Sequence, residues 1–147
     1  MASRLRYFRA RVLNTLFRAH TAIYELSDGR IGTTDRLPML LLSVSGRKTG
    51  RIRTTPLVYF EDGERYVVVG SDGAARRDPQ WWKNLQVNPR GSVRVGRRQF
   101  DVDATLAEDA DRARLWELGK GVNPAWARYQ TTTVRTLPVV VLSPLQS

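Results

Sequence analysis

Four cations lie close together in one short turn, between Gly46 and Arg53, and these are the residues best suited to chemistry. The turn has the sequence Gly-Arg-Lys-Thr-Gly-Arg-Ile-Arg and contains no acidic residue. A hairpin needs only Gly, Asn or Asp at its tip, so folding does not require this charge. Cations beside backbone N–H groups suit a phosphate or a run of carboxylates. The turn is therefore either an anion-binding site or a solvated basic hairpin tip.

The residue types of the rest of the chain exclude several classes of site. The chain has 147 residues, no Cys and one His, His20. Without Cys there are no disulfides, thiol nucleophiles or thiolate metal sites, and one His cannot form a multi-histidine metal centre. A Ser-His-Asp triad is not expected for the same reason. No metal is expected, and an enzyme of this composition would take its chemistry from a cofactor.

The formal net charge of +10 indicates an anionic partner. Nucleic acid, a membrane surface and an acidic small molecule are the three classes of anion that such a charge attracts. The sequence has no zinc-finger spacing and no RNP-type motif, so nucleic acid is not expected. It also has no apolar run long enough to span a bilayer and no secretory signal pattern, which favours a cytoplasmic location.

Residues 3–26 are predicted to form a basic amphipathic helix, because apolar residues recur at spacings of three and four. The apolar stripe consists of Leu5, Phe8, Val12, Leu16, Ala19 and Ile23, and the cations are Arg4, Arg6, Arg9, Arg11 and Arg18. Such a helix either lies peripherally on the inner face of the cell membrane or packs against the rest of the protein. The expected organisation is a helical segment over residues 1–30 and one domain over residues 31–147.

The basic turn joins two predicted strands, 39–45 and 52–60, and hairpin chemistry at 61–64 leads into a third strand at 65–70. Asp78 is predicted to cap a helix that ends at Asn88, and Gly119 to stop a helix that begins near residue 108. Further strands are predicted at 92–95, 100–106 and 136–142, and a short helix at 123–130. The first three strands leave no room for crossover helices, so we expect antiparallel pairing and a small β-barrel.

Three other segments could contact a ligand. The small-residue loop 70–73 would let a ligand approach the backbone closely, although it could equally be an ordinary connector. Trp81 and Trp82 point about 100° apart on a helix, so one could form the wall of a pocket while the other packs inward. Trp126 and Tyr129 share a helix face, and could cover a flat ligand or belong to the core.

Five segments of the chain carry a resemblance to a known family. They are residues 41–50, 53–57, 70–73, 78–89 and 129–142. In this order and spacing, over residues 36–144, the chain resembles the deazaflavin-dependent nitroreductases and F420H2-dependent quinone reductases. The resemblance implies a mainly β (α+β) fold, a split β-barrel similar to the FMN-binding split barrels, with an N-terminal helix and interspersed short helices.

The resemblance also assigns a ligand, coenzyme F420, whose phosphate and oligoglutamate tail are strongly anionic. Arg47, Lys48 and Thr49 would contact these anions, with Arg53 close by. The following strand would run beside the ring system, the small-residue loop would bind near the deazaflavin head, and the double-Trp helix would form another wall. The strand residues are Thr54, Thr55, Pro56, Leu57 and Val58. The loop residues are Gly70, Ser71, Asp72 and Gly73, and the helix residues are Trp81, Trp82, Asn84 and Leu85.

The implied activity is hydride transfer from the reduced deazaflavin to an electron-poor acceptor, a quinone above all, with nitroaromatics as further acceptors. Trp126 and Tyr129 would line the acceptor pocket. Water can supply the proton, so no catalytic side chain is assigned. Two alternatives remain open at this point. One is a related split-barrel protein that uses FMN or a haem-type ligand, and the other is a non-catalytic module that binds F420 or FMN.

Overall fold

The computed structural model describes residues 33–34 and 37–146. The helix predicted at 3–26, and the domain division at residue 30, lie outside these residues. The strands are β1 (Thr33–Thr34), β2 (Leu37–Ser45), β3 (Ile52–Asp62), β4 (Arg65–Val69), β5 (Arg90–Val95), β6 (Arg98–Leu106) and β7 (Val139–Pro144). The helices are α1 (Gln80–Val87), α2 (Asp109–Val122) and α3 (Ala125–Thr132), with a single 3-10 turn at Asp72–Ala74. In this part of the chain, no helix has both the length and the apolar character needed to cross a bilayer.

Six of the strands form a closed antiparallel barrel in the order β2-β3-β4-β7-β6-β5, because β5 pairs back with β2. In this register Leu42 lies opposite Thr55 of β3 on one side and Val93 of β5 on the other. The short strand β1 pairs with the first residues of β2. The predicted mainly β, antiparallel barrel is confirmed.

Buried residues of β4 and β7 alternate between two apolar clusters on the two faces of the barrel wall. Val68 and Val140 belong to the cluster that also holds buried residues of β2, β5 and β6, which is the barrel interior. Val67 and Val139 belong to a second cluster with residues of α2 and α3, which cover the outer face. Because both faces of these strands are covered, their sequences are continuous apolar runs rather than alternating ones.

Helix α1 packs against the barrel end at which β2 and β4 finish. Trp81 and Trp82 are both buried in the interior cluster, with their ring centroids 6.5 Å apart. The expectation that Asp78 caps this helix is wrong. Pro79 occupies the N-cap position, and the Asp78 carboxylate instead accepts a hydrogen bond from Nη1 of Arg135 at 2.9 Å.

Helix α2 continues through Gly119 to Val122, so the prediction that glycine stops it is wrong. Gly119 is buried, and a Cβ placed on it would lie 3.2 Å from Cε1 of Phe60 and from Cζ3 of Trp126. The glycine therefore lets the helix approach two aromatic rings closely. A local sequence signal cannot separate this use of glycine from a helix stop.

Candidate functional site

A cavity of about 730 Å³ lies between the basic turn, the first half of β3 and helix α1. It forms where the barrel wall splits, because β3 pairs with β4 only from Tyr59 to Asp62, whereas its pairing with β2 extends back to Ile52. The cavity is lined by Gly46, Arg47, Lys48, Thr49, Ile52, Arg53, Thr54, Thr55, Gln80, Trp81 and Asn84.

The basic turn is closed by its own backbone hydrogen bonds. The N–H of Gly46 donates to the carbonyl of Arg51 at 2.7 Å, and the N–H of Gly50 donates to the carbonyl of Gly46 at 2.8 Å. Gly50 has a φ of +71°, which a glycine adopts without strain. The N–H of Arg51 also donates to Oγ1 of Thr49. The turn therefore has a defined shape, with Lys48 exposed on it.

Arg47 connects the basic turn to α1. Its backbone N–H donates to Oδ1 of Asn84 at 3.1 Å, and its Nη1 donates to the same oxygen at 2.8 Å and to Oε1 of Gln80 at 2.9 Å. Asn84 is 5% exposed, so these bonds satisfy a buried amide oxygen. The pairing sets the separation between two walls of the cavity.

The described residues that line the cavity carry positive charge. Arg47, Lys48 and Arg53 line the cavity, and within the described residues no Asp or Glu does. Hydroxyl groups of Thr54 and Thr55 add polar donors, and Oγ1 of Thr54 lies 2.6 Å from Oγ of Ser43. Such a donor set suits a ligand that carries phosphate or carboxylate groups.

The cavity brings together part of the site predicted from the sequence. Arg47, Lys48, Thr49, Arg53, Thr54, Thr55, Trp81 and Asn84 line it, while Pro56, Leu57, Val58, Gly70, Ser71, Asp72, Gly73, Trp82 and Leu85 do not. Leu85 is 1% exposed and belongs to the core. Gln80 was missed, although it lies four residues before Asn84 and hence on the same helix face.

The loop after β4 has an unusual backbone. Asp72, Gly73 and Ala74 have φ values of +43°, +60° and +67°, so three successive residues are left-handed. This conformation is strained for Asp72 and Ala74, and backbone strain of this kind clusters at functional sites. Gly70 precedes these residues, and a Cβ placed on it would lie 2.6 Å from Cγ of Pro138. The loop is thus closely packed at its start and strained at its centre.

The two aromatic residues predicted for the acceptor pocket lie in the outer cluster. Trp126 is 3% exposed, and its ring centroid lies 6.2 Å from that of Phe60. Tyr129 is partly buried against the same cluster. Their shared helix face is thus the face with which α3 packs on the barrel, and neither residue lines the 730 Å³ cavity.

A second cavity, of about 580 Å³, includes Trp82 in its lining. Among the described residues, Asp78, Glu108 and Asp109 line it together with one cation, Arg112. Burial lowers the pKa of Arg112, whose Nη1 donates to the carbonyl of Leu137 at 2.8 Å. The described lining of this cavity contains more carboxylates than cations, so it does not suit a ligand that carries phosphate or carboxylate groups.

The chain is similar to several known proteins. A family model for the F420H2-dependent quinone reductases matches residues 16–144. The chain is 42% identical over 133 residues to an F420H2-dependent quinone reductase of Mycobacterium tuberculosis, which covers 87% of this chain and 89% of that protein. Among solved structures, an F420H2-dependent reductase called FDR-A is 34% identical, with a TM-score of 0.67 over 72% of this chain and 94% of its own. An FAD-binding protein of Mesorhizobium loti, 16% identical with a TM-score of 0.53 over 83% and 88% of the two chains, shares the fold.

Proposed function

Because the chain belongs to the F420H2-dependent quinone reductase family, we propose that it transfers a hydride from reduced coenzyme F420 to a quinone. The family membership implied by the sequence motifs is confirmed. One observation supports the proposal above all others. The cavity at the split in the barrel is lined by three cations and, within the described residues, by no carboxylate.

The donor set of the cavity fits the anionic half of the coenzyme. Lys48 is exposed at the mouth of the cavity and Arg53 projects from the strand that follows the turn. Both are suited to the phosphate and the glutamate carboxylates. Nη1 of Arg47 already donates hydrogen bonds to Gln80 and Asn84, so the main contribution of Arg47 is to hold the turn against α1.

The residues of this chain contribute binding and orientation rather than proton transfer. When bound, the reduced deazaflavin supplies the hydride, and hydride chemistry needs donor and acceptor held in contact. Trp81, which lines the cavity yet is 6% exposed, provides a rigid apolar wall. Nitroaromatics are proposed as further acceptors because they are also electron-poor.

Two measurements on the purified protein test this function. Titration with oxidised coenzyme F420 and, separately, with FMN compares the two ligands, and we expect tighter binding of F420 because only it carries a polyanionic tail. Addition of menadione to protein with reduced coenzyme should then restore the absorbance of the oxidised deazaflavin. Tighter binding of FMN would contradict the cofactor assignment. If the protein binds F420 but neither menadione nor a nitroaromatic oxidises the reduced coenzyme, the protein would be a non-catalytic binding module.

We further propose a peripheral membrane contact through residues 1–26, at the inner face of the cell membrane, on the basis of the basic amphipathic pattern. Sedimentation with anionic liposomes tests it. The intact chain should associate, and a chain that lacks residues 1–26 should not. Equal association of the two would instead favour packing of this segment against the barrel.

A further inference from the structure

The side chain of Arg135 forms four hydrogen bonds to the segment between β4 and α1. Its Nη1 donates to the carbonyl of Gly70 at 2.9 Å, its Nη2 to that of Ser71 at 2.7 Å, and its Nε to that of Ala75 at 2.7 Å. Nη1 also donates to Oδ1 of Asp78 at 2.9 Å. One guanidinium thus binds three backbone carbonyls and a carboxylate, each between 57 and 65 residues away in the chain.

These bonds surround the strained residues of the loop. The carbonyls that Arg135 binds lie on both sides of Asp72 and Ala74, which have positive φ values. Local bonds within the turn are few, since the N–H of Ala74 donates to Ser71 and that of Ala75 donates to Asp72. A strained backbone persists only where its surroundings hold it. Arg135 supplies most of the long-range bonds that can do so.

Arg135 is itself fixed from helix α3. The side-chain amide of Gln130 donates from Nε2 to the carbonyl of Arg135 at 2.8 Å, and its Oε1 accepts from the N–H of Leu137 at 2.9 Å. The side chain of Arg135 is only 13% exposed. Helix α3, the segment 135–137 and the loop after β4 are therefore joined by one continuous set of hydrogen bonds.

We propose that Arg135 is a positioning residue, which holds the strained loop 70–75 in the shape that receives the deazaflavin headgroup. The inference rests on the proposed function, because it takes the loop, whose residues do not line the cationic cavity, to be the binding site of that headgroup. Arg135 bonds to carbonyl groups and to Asp78, so its role is to shape the loop rather than to contact the ligand. Loss of the guanidinium should let Asp72 and Ala74 relax toward ordinary backbone conformations.

The test compares Arg135→Gln and Arg135→Lys with a matched control, Arg128→Gln, which removes the same charge from an exposed position on α3. Two probes are titrated: complete oxidised F420, and a headgroup fragment that keeps the deazaflavin and its sugar alcohol but lacks the phosphate and glutamates. We expect both Arg135 variants to bind the fragment at least tenfold more weakly than wild type. The rate of hydride transfer to menadione in a single turnover should fall by a similar factor, while Arg128→Gln matches wild type.

Two further readouts separate positioning from a general loss of stability. Hydrogen–deuterium exchange of the free Arg135→Gln protein should be faster across residues 70–78 and unchanged across β4. Methylguanidinium added to Arg135→Ala should restore fragment binding, because it can replace the lost donors, and it should not affect Arg128→Ala.

The results also distinguish failure of this inference from failure of the proposed function. Wild-type affinity for the fragment in Arg135→Gln, together with unchanged exchange at 70–78, would overturn the inference and leave the F420 assignment intact. If the wild-type protein binds neither F420 nor the fragment, the proposed function fails and the headgroup role of Arg135 fails with it.

Discussion

Oδ1 of Asn84 accepts two hydrogen bonds from Arg47, one from its backbone N–H at 3.1 Å and one from Nη1 at 2.8 Å. The two residues are 37 positions apart in the sequence. Their pairing attaches the basic turn to α1, and the cavity lies between these two elements. The shape of the proposed anion site therefore depends on a neutral amide as well as on its cations.

Substitution of Asn84 should separate the geometry of the cavity from its charge. Asn84→Ala leaves the N–H of Arg47 without its acceptor, and loss of a buried hydrogen-bond partner should lower the free energy of unfolding by about 1–3 kcal/mol. Asn84→Asp keeps the acceptor and should retain most of the stability. Its added negative charge should nevertheless weaken F420 binding. Denaturant unfolding and F420 titration of both variants check this, and an Asn84→Asp protein that binds F420 as wild type does would contradict an anion site here.

Lys48→Gln should weaken binding of F420, because it removes an exposed cation from the mouth of the cavity. An exposed charge pair contributes up to about 1 kcal/mol, so the dissociation constant should rise roughly fivefold at low salt. The loss should be greater for coenzyme forms with longer glutamate tails, and it should shrink as salt is added. Arg97→Gln is the matched control, since Arg97 is exposed in the β5–β6 turn at the other end of the barrel. Equal affinities of Lys48→Gln and Arg97→Gln would remove Lys48 from the site.

Asp62 should make stability depend on pH in the acid range. Hydrogen bonds from Arg114 and Arg65 hold the pKa of the Asp62 carboxyl well below its usual range. The stability that this carboxylate contributes is complete above its ordinary pKa of about 4 and is lost as pH falls toward the lowered pKa. Asp62→Asn should therefore lower the free energy of unfolding by about 1 kcal/mol at neutral pH.

Denaturant unfolding from pH 3.5 to pH 8 measures this effect. The difference between wild type and Asp62→Asn should be constant from pH 8 to about pH 5 and should decrease at lower pH. Asp103→Asn provides a control, because the ion pair that Asp103 forms with Arg90 is exposed to solvent on both sides. If the difference in the free energy of unfolding between wild type and Asp62→Asn grows toward low pH, the pKa of Asp62 is not lowered in the folded protein.

Trp126 should behave as a core residue. It is 3% exposed and packs against Phe60 and Gly119. Trp126→Ala should lower the free energy of unfolding by about 3–5 kcal/mol, since it creates a large cavity, and Trp126→Phe should cost less. Thermal unfolding of both variants checks this. A change in the KM for quinone in Trp126→Phe, with no change in stability, would instead support the acceptor-pocket role predicted from the sequence.

Local signals in the sequence were sufficient to predict most of the elements. The apolar runs around the basic turn became β2 and β3, because runs rich in branched and aromatic residues, joined by a glycine-bounded turn, favour a hairpin. Helix α1 ends at Val87, just before Asn88 and Pro89, as predicted. Gly119 was assigned wrongly for a physical reason. Glycine ends helices and also permits close packing, and only the rings of Phe60 and Trp126 decide between these uses.

The sequence alone determined that an enzyme of this composition would need a cofactor and that a cationic turn joins two strands, since the absence of Cys and the concentration of charge are properties of composition and spacing. Tertiary structure decided which partners those residues have. Arg47 donates hydrogen bonds to Asn84, Arg135 donates to the loop at Gly70, and Trp126 packs in the outer core. Each of these contacts joins segments distant in the chain. Such contacts depend on how the barrel closes and which helix covers which face, and no local periodicity of the sequence records this.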